Sequence, residues 1–354
     1  MNPNEAAGAF SFASPVTAMS ECDRGHINHT YFLDCAGGER YVLQHLNRTV
    51  FPDPKAVMAN VVGVTAHIRR KLLEKGIDPT DRVLSFVPAG GKYYFKDSSG
   101  GYWRAYRFVS GACPEHCASP AEFARVGRAF GVFQNQLSDY DAATLFEVIP
   151  DFHNTPRRYE ALLAAAEKDE FGRVADCRAE IGFARGRAAD YGLITDGLKE
   201  GIFPLRVTHN DTKLNNIILD PETGEGRCVI DLDTVMPGSL LYDFGDAIRY
   251  GAATAAEDEE DLSRVSVDAD YFAAFAEGFS DGIGKSMTPA ERRALPDAAR
   301  LMTLETGIRF LTDYLSGDTY FRIHRPDHNL IRARNQFAMA AGIERKYARL
   351  QALL

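Results

Sequence analysis

The chain has 354 residues, with 40 Lys and Arg against 49 Asp and Glu, for a formal net charge of −9. That length can bury a full core in two domains or lobes without disulfide staples, which excludes a disordered or collagen-like chain. The acidic balance argues against a nucleic-acid binder, which needs a basic face. No apolar run approaches the ~18 residues of a membrane span. The N-terminal string MNPNEAAGAF has no basic segment followed by an apolar run, so no signal peptide is expected. Cys22, Cys35, Cys113, Cys117, Cys177 and Cys228 are too thinly spread for a disulfide framework, and a reducing cytoplasm is the expected location.

In chain order, the first ~110 residues read as strands and turns. HTYFLDCAGGERYVLQHLN is two alternating runs around Gly37-Gly38, a hairpin signal. VMANVVGVTAHIRRKLLEKGI has helical spacing and stops at Gly76. RVLSFVPA and KYYFKDSSGGYWRAYRFV read as further antiparallel strands. After Val109 the composition changes, and Ser119-Pro120 with Glu122 opens a helix. Helical patterns then dominate to the end, apart from LRVTHNDTKLNNIILDPETGEGRCVIDLDTVMPG, which is β-rich with a turn near Thr223-Gly224. The acidic run at 257–261 reads as solvated helix surface. The expected fold class is α+β: a β-rich lobe over 1–109 and a helical lobe over 110–354 interrupted by a short hairpin.

The chemistry-bearing segment is His209-Asn210-Asp211, with Asn216 five residues after Asp211 and Asp231 twenty after it, behind the apolar strand Cys228-Val229-Ile230. Magnesium prefers carboxylate and amide oxygens and binds together with substrate phosphates. A further carboxylate can accept the proton of an attacking hydroxyl. The spacing H-x-D-x-x-x-x-N followed by an apolar-Asp-x-acid string therefore points to phosphoryl transfer. The sequence has no P-loop, hydrolase-elbow or zincin string. Cys113, His116 and Cys117 lack a second ligand pair at zinc-finger spacing and read as a free-thiol loop.

These strings, together with DRGHINHTY, RYVLQHLN, WRAYRF, IDLDTVMPGSLLYDFGD, RFLTDYL and PDHNLIRAR, resemble the aminoglycoside phosphotransferase and choline kinase superfamily. Within it they look most like the N-acetylhexosamine 1-kinases, from about residue 23 to about residue 335. The resemblance implies a two-lobed protein-kinase-like fold, with the nucleotide on lobe 1–109 and the catalytic loop and sugar site on lobe 110–354. It implies ATP and Mg²⁺ as cofactors and phosphorylation of the anomeric hydroxyl of N-acetylglucosamine or N-acetylgalactosamine, with no nucleic-acid or membrane partner.

By position, Asp211 matches the catalytic aspartate, Asn216 and Asp231 the metal ligands, and His209 a loop brace. Asp233 matches a second acidic position for the substrate or the loop. Lys213 is placed to balance phosphate charge or to face solvent. Asp243 of the Asp243-Phe244-Gly245 string matches a brace at a helix start, not the metal aspartate. Gly25, His26, Asn28 and Thr30 match a phosphate-covering loop, and Phe108 ends a string matching the adenine hinge. Arg309 and Tyr320 are expected to face the sugar; the alternative for Arg309 is a surface ion pair with Asp313, four residues on.

Gln44 departs from the broad kinase pattern. It stands where a strand lysine pairs the α- and β-phosphates, and no acidic partner opens the following helix. A silent sugar- or nucleotide-binding pseudokinase therefore stands as one alternative, and a kinase of another small alcohol (an aminoglycoside, choline or an amino alcohol), which the superfamily motif alone allows, as the other.

Overall fold

The computed structural model describes residues 1–22 and 27–354. In chain order its elements are α1 (Pro3–Ala9), β1 (Val16–Cys22), β2 (His29–Cys35), β3 (Arg40–His45), α2 (Pro54–Glu74), β4 (Phe95–Lys96), β5 (Tyr102–Arg107), α3 (Pro120–Gln136), α4 (Thr155–Lys168), α5 (Arg178–Arg185), α6 (Leu193–Lys199), β6 (Arg206–Thr208), β7 (Ile217–Leu219), β8 (Gly226–Val229), β9 (Met236–Gly238), α7 (Leu240–Gly251), α8 (Ala269–Ile283), α9 (Pro289–Arg293), α10 (Leu295–Leu315) and α11 (His328–Ala352). The fold is mixed α/β, with a small antiparallel sheet in the N-terminal part and a larger helical part, as expected from the sequence.

The described residues group into two compact units. The first is Met1–Cys113, Gln136–Pro150 and Asn215–Pro237; the second is Pro114–Asn135, Asp151–Leu214 and Gly238–Leu354. This grouping differs from a single boundary at residue 109. The reason is specific bonding: Asn60 of α2 donates to the carbonyls of Phe146 (2.8 Å) and Val235 (2.9 Å), and Ala112 exchanges backbone hydrogen bonds with Leu219.

In the first unit the strands run in the order β1-β2-β3-β5-β4. The β2–β3 hairpin forms as read, with Gly38 at φ +87° supplying the left-handed turn residue. The sheet core holds Leu33, Leu43, Trp103 and Ala105, covered by Ala6 and Phe10 beside α1. Helix α2 buries Val57, Val61, Val64, Ile68 and Leu72, a helical stripe. Asp53 caps it through the amides of Lys55 and Ala56. The run 82–89 does not form the expected strand. Val87 N–H bonds the Ala105 carbonyl and the Ser85 carbonyl accepts the Arg107 amide around a single Phe86–Tyr106 bridge, and the pairing stops there because the Ala89 amide turns to the Lys92 carbonyl.

In the second unit α10 packs along α4, α7 and α11. The acidic run 257–261 is a loop rather than a helix face. Glu257 pairs with the buried Arg249 (2.8 Å) and Glu259 with Arg264 (2.7 Å), so the run neutralises cations instead of coating a helix. Among the described residues, no helix is long and apolar enough to cross a membrane.

Candidate active site

In the second unit the segment after β6 carries the loop with Asp211. Asn210 has φ +66°, a left-handed conformation that asparagine adopts more readily than most residues and that the surrounding bonds hold here. Two carboxylates three residues apart on α7 impose it. Asp243, 1% exposed, accepts the amides of His209 (3.0 Å) and Asn210 (2.7 Å) and the Gln134 side chain (2.6 Å). Asp246 accepts the Thr212 amide (3.0 Å) and is paired with Arg249 (2.9 Å). Thr212 Oγ1 also donates to the Asp243 carbonyl. Burial pushes the Asp243 carboxyl up, against the three donors that face it. Burial also opposes the charge of Asp246, but Arg249, Lys213 and His153 outweigh it and hold the carboxyl below its usual range.

His209 is fully buried, edge-on to Phe130 and Phe133, and its Nδ1 accepts the Asp211 amide at 3.3 Å. It braces the loop. The Asp211 carboxylate meets Lys213 Nζ at 2.7 Å. Burial opposes the lysine charge, while Asp211 and Asp246 prevail and raise its pKa. Lys213 is thus ion-paired with Asp211 rather than simply turned to solvent.

A second brace comes from outside the motif. The buried His153 has Nδ1 at 2.7 Å from Glu305 Oε1 and Nε2 at 3.2 Å from the Asn210 carbonyl. Thr155 Oγ1 donates to the other Glu305 oxygen at 2.7 Å. Burial would push the Glu305 carboxyl up, but His153 and Thr155 more than offset it and the pKa is lowered.

In the first unit, β7 and β8 pair with Ile217 opposite Val229, and the Ile230 amide bonds the Asn216 carbonyl at 2.9 Å. Asn216 and Asp231 therefore lie at the same end of this hairpin. Asp231 has φ +57° and caps the short turn Leu232–Thr234. An amide oxygen and a carboxylate are hard donors of the kind magnesium takes.

Asp233, 2% exposed, is bonded by Arg104 Nη1 and by Asn28 Nδ2 at 2.6 Å. Gln44, opposite Arg104 in the β3–β5 register, accepts Arg104 Nε (2.9 Å) and Nη2 (2.7 Å) and donates to Thr30 Oγ1 (3.1 Å). Burial opposes the Arg104 charge, but Asp233, Tyr106 and Asp231 prevail and raise its pKa. A cation missing from β3 is thus present on the neighbouring strand. Phe108 lies edge-on to Phe32, with Arg40 stacked on both rings.

On α10, Arg309 does not pair with Asp313. Asp313 is buried and accepts the amides of Thr319 (3.0 Å), Tyr320 (2.8 Å) and Phe321 (2.9 Å), closing the loop after the helix. Arg309 lies over the rings of Phe152, Tyr320 and Phe321, and Tyr320 is 62% exposed.

The structure therefore brings Asn28, Thr30, Gln44 and Asp233 into one partly buried network, places Asn216 and Asp231 at one hairpin end, and sets Arg309 beside Tyr320. Gly25 and His26 lie outside the described residues. Sequence reasoning missed the bonding roles of Arg104, His153, Asp246 and Glu305. For Glu305 a signal existed: it is the one charged residue in the mostly apolar run LMTLETGI. Such a residue, when buried, needs a partner.

Residues 19–282 match the model of the APH phosphotransferase enzyme family. Among solved structures, an aminoglycoside phosphotransferase from Alicyclobacillus acidocaldarius is 14% identical, with 100% of this chain and 95% of that one covered and a TM-score of 0.62. A putative aminoglycoside phosphotransferase from Ralstonia eutropha is also 14% identical, covering 97% and 96%, with a TM-score of 0.57. The amicoumacin kinase hAmiN, solved with AMP-PNP, Ca²⁺ and amicoumacin, is 14% identical, covering 96% and 89%, with a TM-score of 0.54. At that identity the likeness is one of fold, whereas the family model spans most of the sequence: the chain belongs to the APH phosphotransferase family.

Proposed function

We propose that this phosphotransferase moves the γ-phosphate of ATP to the anomeric hydroxyl of an N-acetylhexosamine. The observation that carries the reading is the Asp211 loop, held in a left-handed bend by two α7 carboxylates and by His153. Such bracing holds one carboxylate still for proton acceptance. In this reading Asp211 takes the proton of the acceptor hydroxyl as its oxygen bonds to the γ-phosphorus and ADP departs. Asn216 and Asp231 would hold magnesium, which when bound offsets the triphosphate charge. Gln44, Thr30 and Asn28, with Gly25, His26 and the Phe108 strand end, are assigned to the nucleotide side, and Asp233 to positioning the substrate or the loop. Arg104 stands beside Gln44 with its charge met by Asp233, and it is the presence of Asp211, Asn216 and Asp231 together that speaks against a silent pseudokinase. On the acceptor side the reading rests on the hexosamine-kinase strings and on Arg309 among Phe152, Tyr320 and Phe321, a setting suited to a sugar face and its acetamide.

The test is ADP release with Mg-ATP against N-acetylglucosamine, N-acetylgalactosamine, 1-O-methyl-N-acetylglucosamine, kanamycin and choline. Turnover with the free sugars and none with the methyl glycoside is expected. Turnover with kanamycin or choline alone keeps the phosphotransferase and overturns the sugar. Asp211→Asn should lower kcat by about 10²–10⁴-fold and spare nucleotide binding.

A further inference from the structure

Two arginines stand together beside the Asp211 loop, and neither forms an ion pair with a carboxylate among the described residues. Arg158 Nε and Nη2 donate to the Phe152 carbonyl at 3.3 and 3.0 Å. Arg309 lies 5.1 Å from the centre of the same residue's ring, with Nη2 3.5 Å from Tyr320 OH. The two guanidiniums thus share Phe152, one on its carbonyl and one on its ring, and both are half-buried. The nearby Glu305 acts on both arginines at a distance and forms no ion pair with either; its two oxygens are bonded by His153 and Thr155. Phe152 precedes His153, whose Nε2 meets the carbonyl of Asn210, the residue before Asp211.

The local design runs against helix electrostatics. Arg158 lies near the N-terminus of α4, whose first turn holds no acid. Positive charge at a helix N-terminus is unfavourable. Burial and the like charge of Arg309 push the Arg158 pKa down, with Glu305, Tyr320 and Asp151 pulling the other way. Breaking a local charge rule beside a catalytic loop is what a fold tolerates when a ligand supplies the compensation.

We propose that Arg158 and Arg309 act together as a cationic filter on the acceptor: they favour a neutral or anionic, oxygen-rich acceptor and reject one carrying ammonium groups. The proposal rests on the acceptor-kinase reading above and narrows it. An arginine fork donates to carbonyl, hydroxyl, carboxylate or sulfate oxygens and has nothing to offer an ammonium group. A polycation brought to this wall meets like charge in a partly desolvated place.

The experiment compares glucosamine, N-acetylglucosamine and N-sulfoglucosamine, which share a ring and differ in charge at one nitrogen. kcat/KM is measured for wild type, Arg158→Gln and Arg158→Glu, with Tm and KM for ATP as controls of folding. In Arg158→Glu the ratio of glucosamine to N-acetylglucosamine should rise at least about tenfold and N-sulfoglucosamine should lose at least as much. Ratios unchanged within about twofold in a folded Arg158→Glu protein would overturn the filter. A second readout does not need turnover. Inorganic sulfate, titrated calorimetrically at low ionic strength, should bind wild type about tenfold more tightly than Arg158→Gln. Equal binding counts against the filter. If wild type phosphorylates none of the three sugars, the hexosamine reading fails and the sulfate titration alone decides the filter.

Discussion

His153 is enclosed between the Glu305 carboxylate and the Asn210 carbonyl, with an acceptor at each ring nitrogen. A carboxylate whose pKa is lowered by folding stabilises fully above its unfolded value, and the contribution is lost as pH falls through the folded value. For Glu305 the ordinary value is 4.5, so the contribution is complete at neutral pH and disappears only below that. Glu305→Gln should therefore cost about 3 kcal/mol at pH 7, with the gap to wild type closing in acid. Denaturant unfolding at pH 7 and at pH 3.5 checks this; a constant gap would mean that charge is not the cause. The cysteines give a second residue-scale expectation. Burial pushes the Cys117 and Cys228 thiols up to about 12 and Cys177 to about 11. Limited iodoacetamide at pH 8 should label the exposed Cys113 and leave Cys228 untouched until the chain unfolds, as read by peptide mass spectrometry.

At the scale of elements, helix α3 meets α8 through glycines. A Cβ on Gly278 would collide with the Ala124 backbone, and one on Gly131 with that of Phe279. Backbone cannot yield as a flexible side chain can, so Gly278→Ala should cost about 1–3 kcal/mol and lower Tm, while an alanine at the open Gly8 should not. Thermal unfolding of the two variants side by side tests the packing. The long helices were legible because their stripes and stops are local: the α2 stripe and Gly76 stand in the sequence in order. The segment 82–89 was misread because its apolar content signals burial, which a segment making only one bridge satisfies equally well. Helix α1 was missed because seven residues carry too little periodicity, and its helical state is supported by packing on the sheet.

At the scale of the whole molecule, the first compact unit is assembled from three stretches of chain. A fragment ending at residue 109 lacks Asp233 and leaves the buried Arg104 without its counter-charge, and Asn60 without Phe146 and Val235. An unpaired buried charge is strongly destabilising. Fragment 1–109 should therefore show no cooperative thermal transition by circular dichroism; a sharp one would show that the sheet is self-sufficient.

The sequence by itself determined the fold class, the main helices, the β2–β3 hairpin and the motif from His209 to Asp233, because each depends on periodicity, caps or fixed spacing along a continuous stretch. Tertiary structure alone decided that Asp233 faces Arg104 and Asn28, that Asp313 closes a loop instead of pairing with Arg309, and that Glu305 reaches the Asp211 loop through His153. The physical reason is the same in each case. A buried charge or polar group must find a partner, and the partner that satisfies it lies up to 205 residues away, where no local pattern records it.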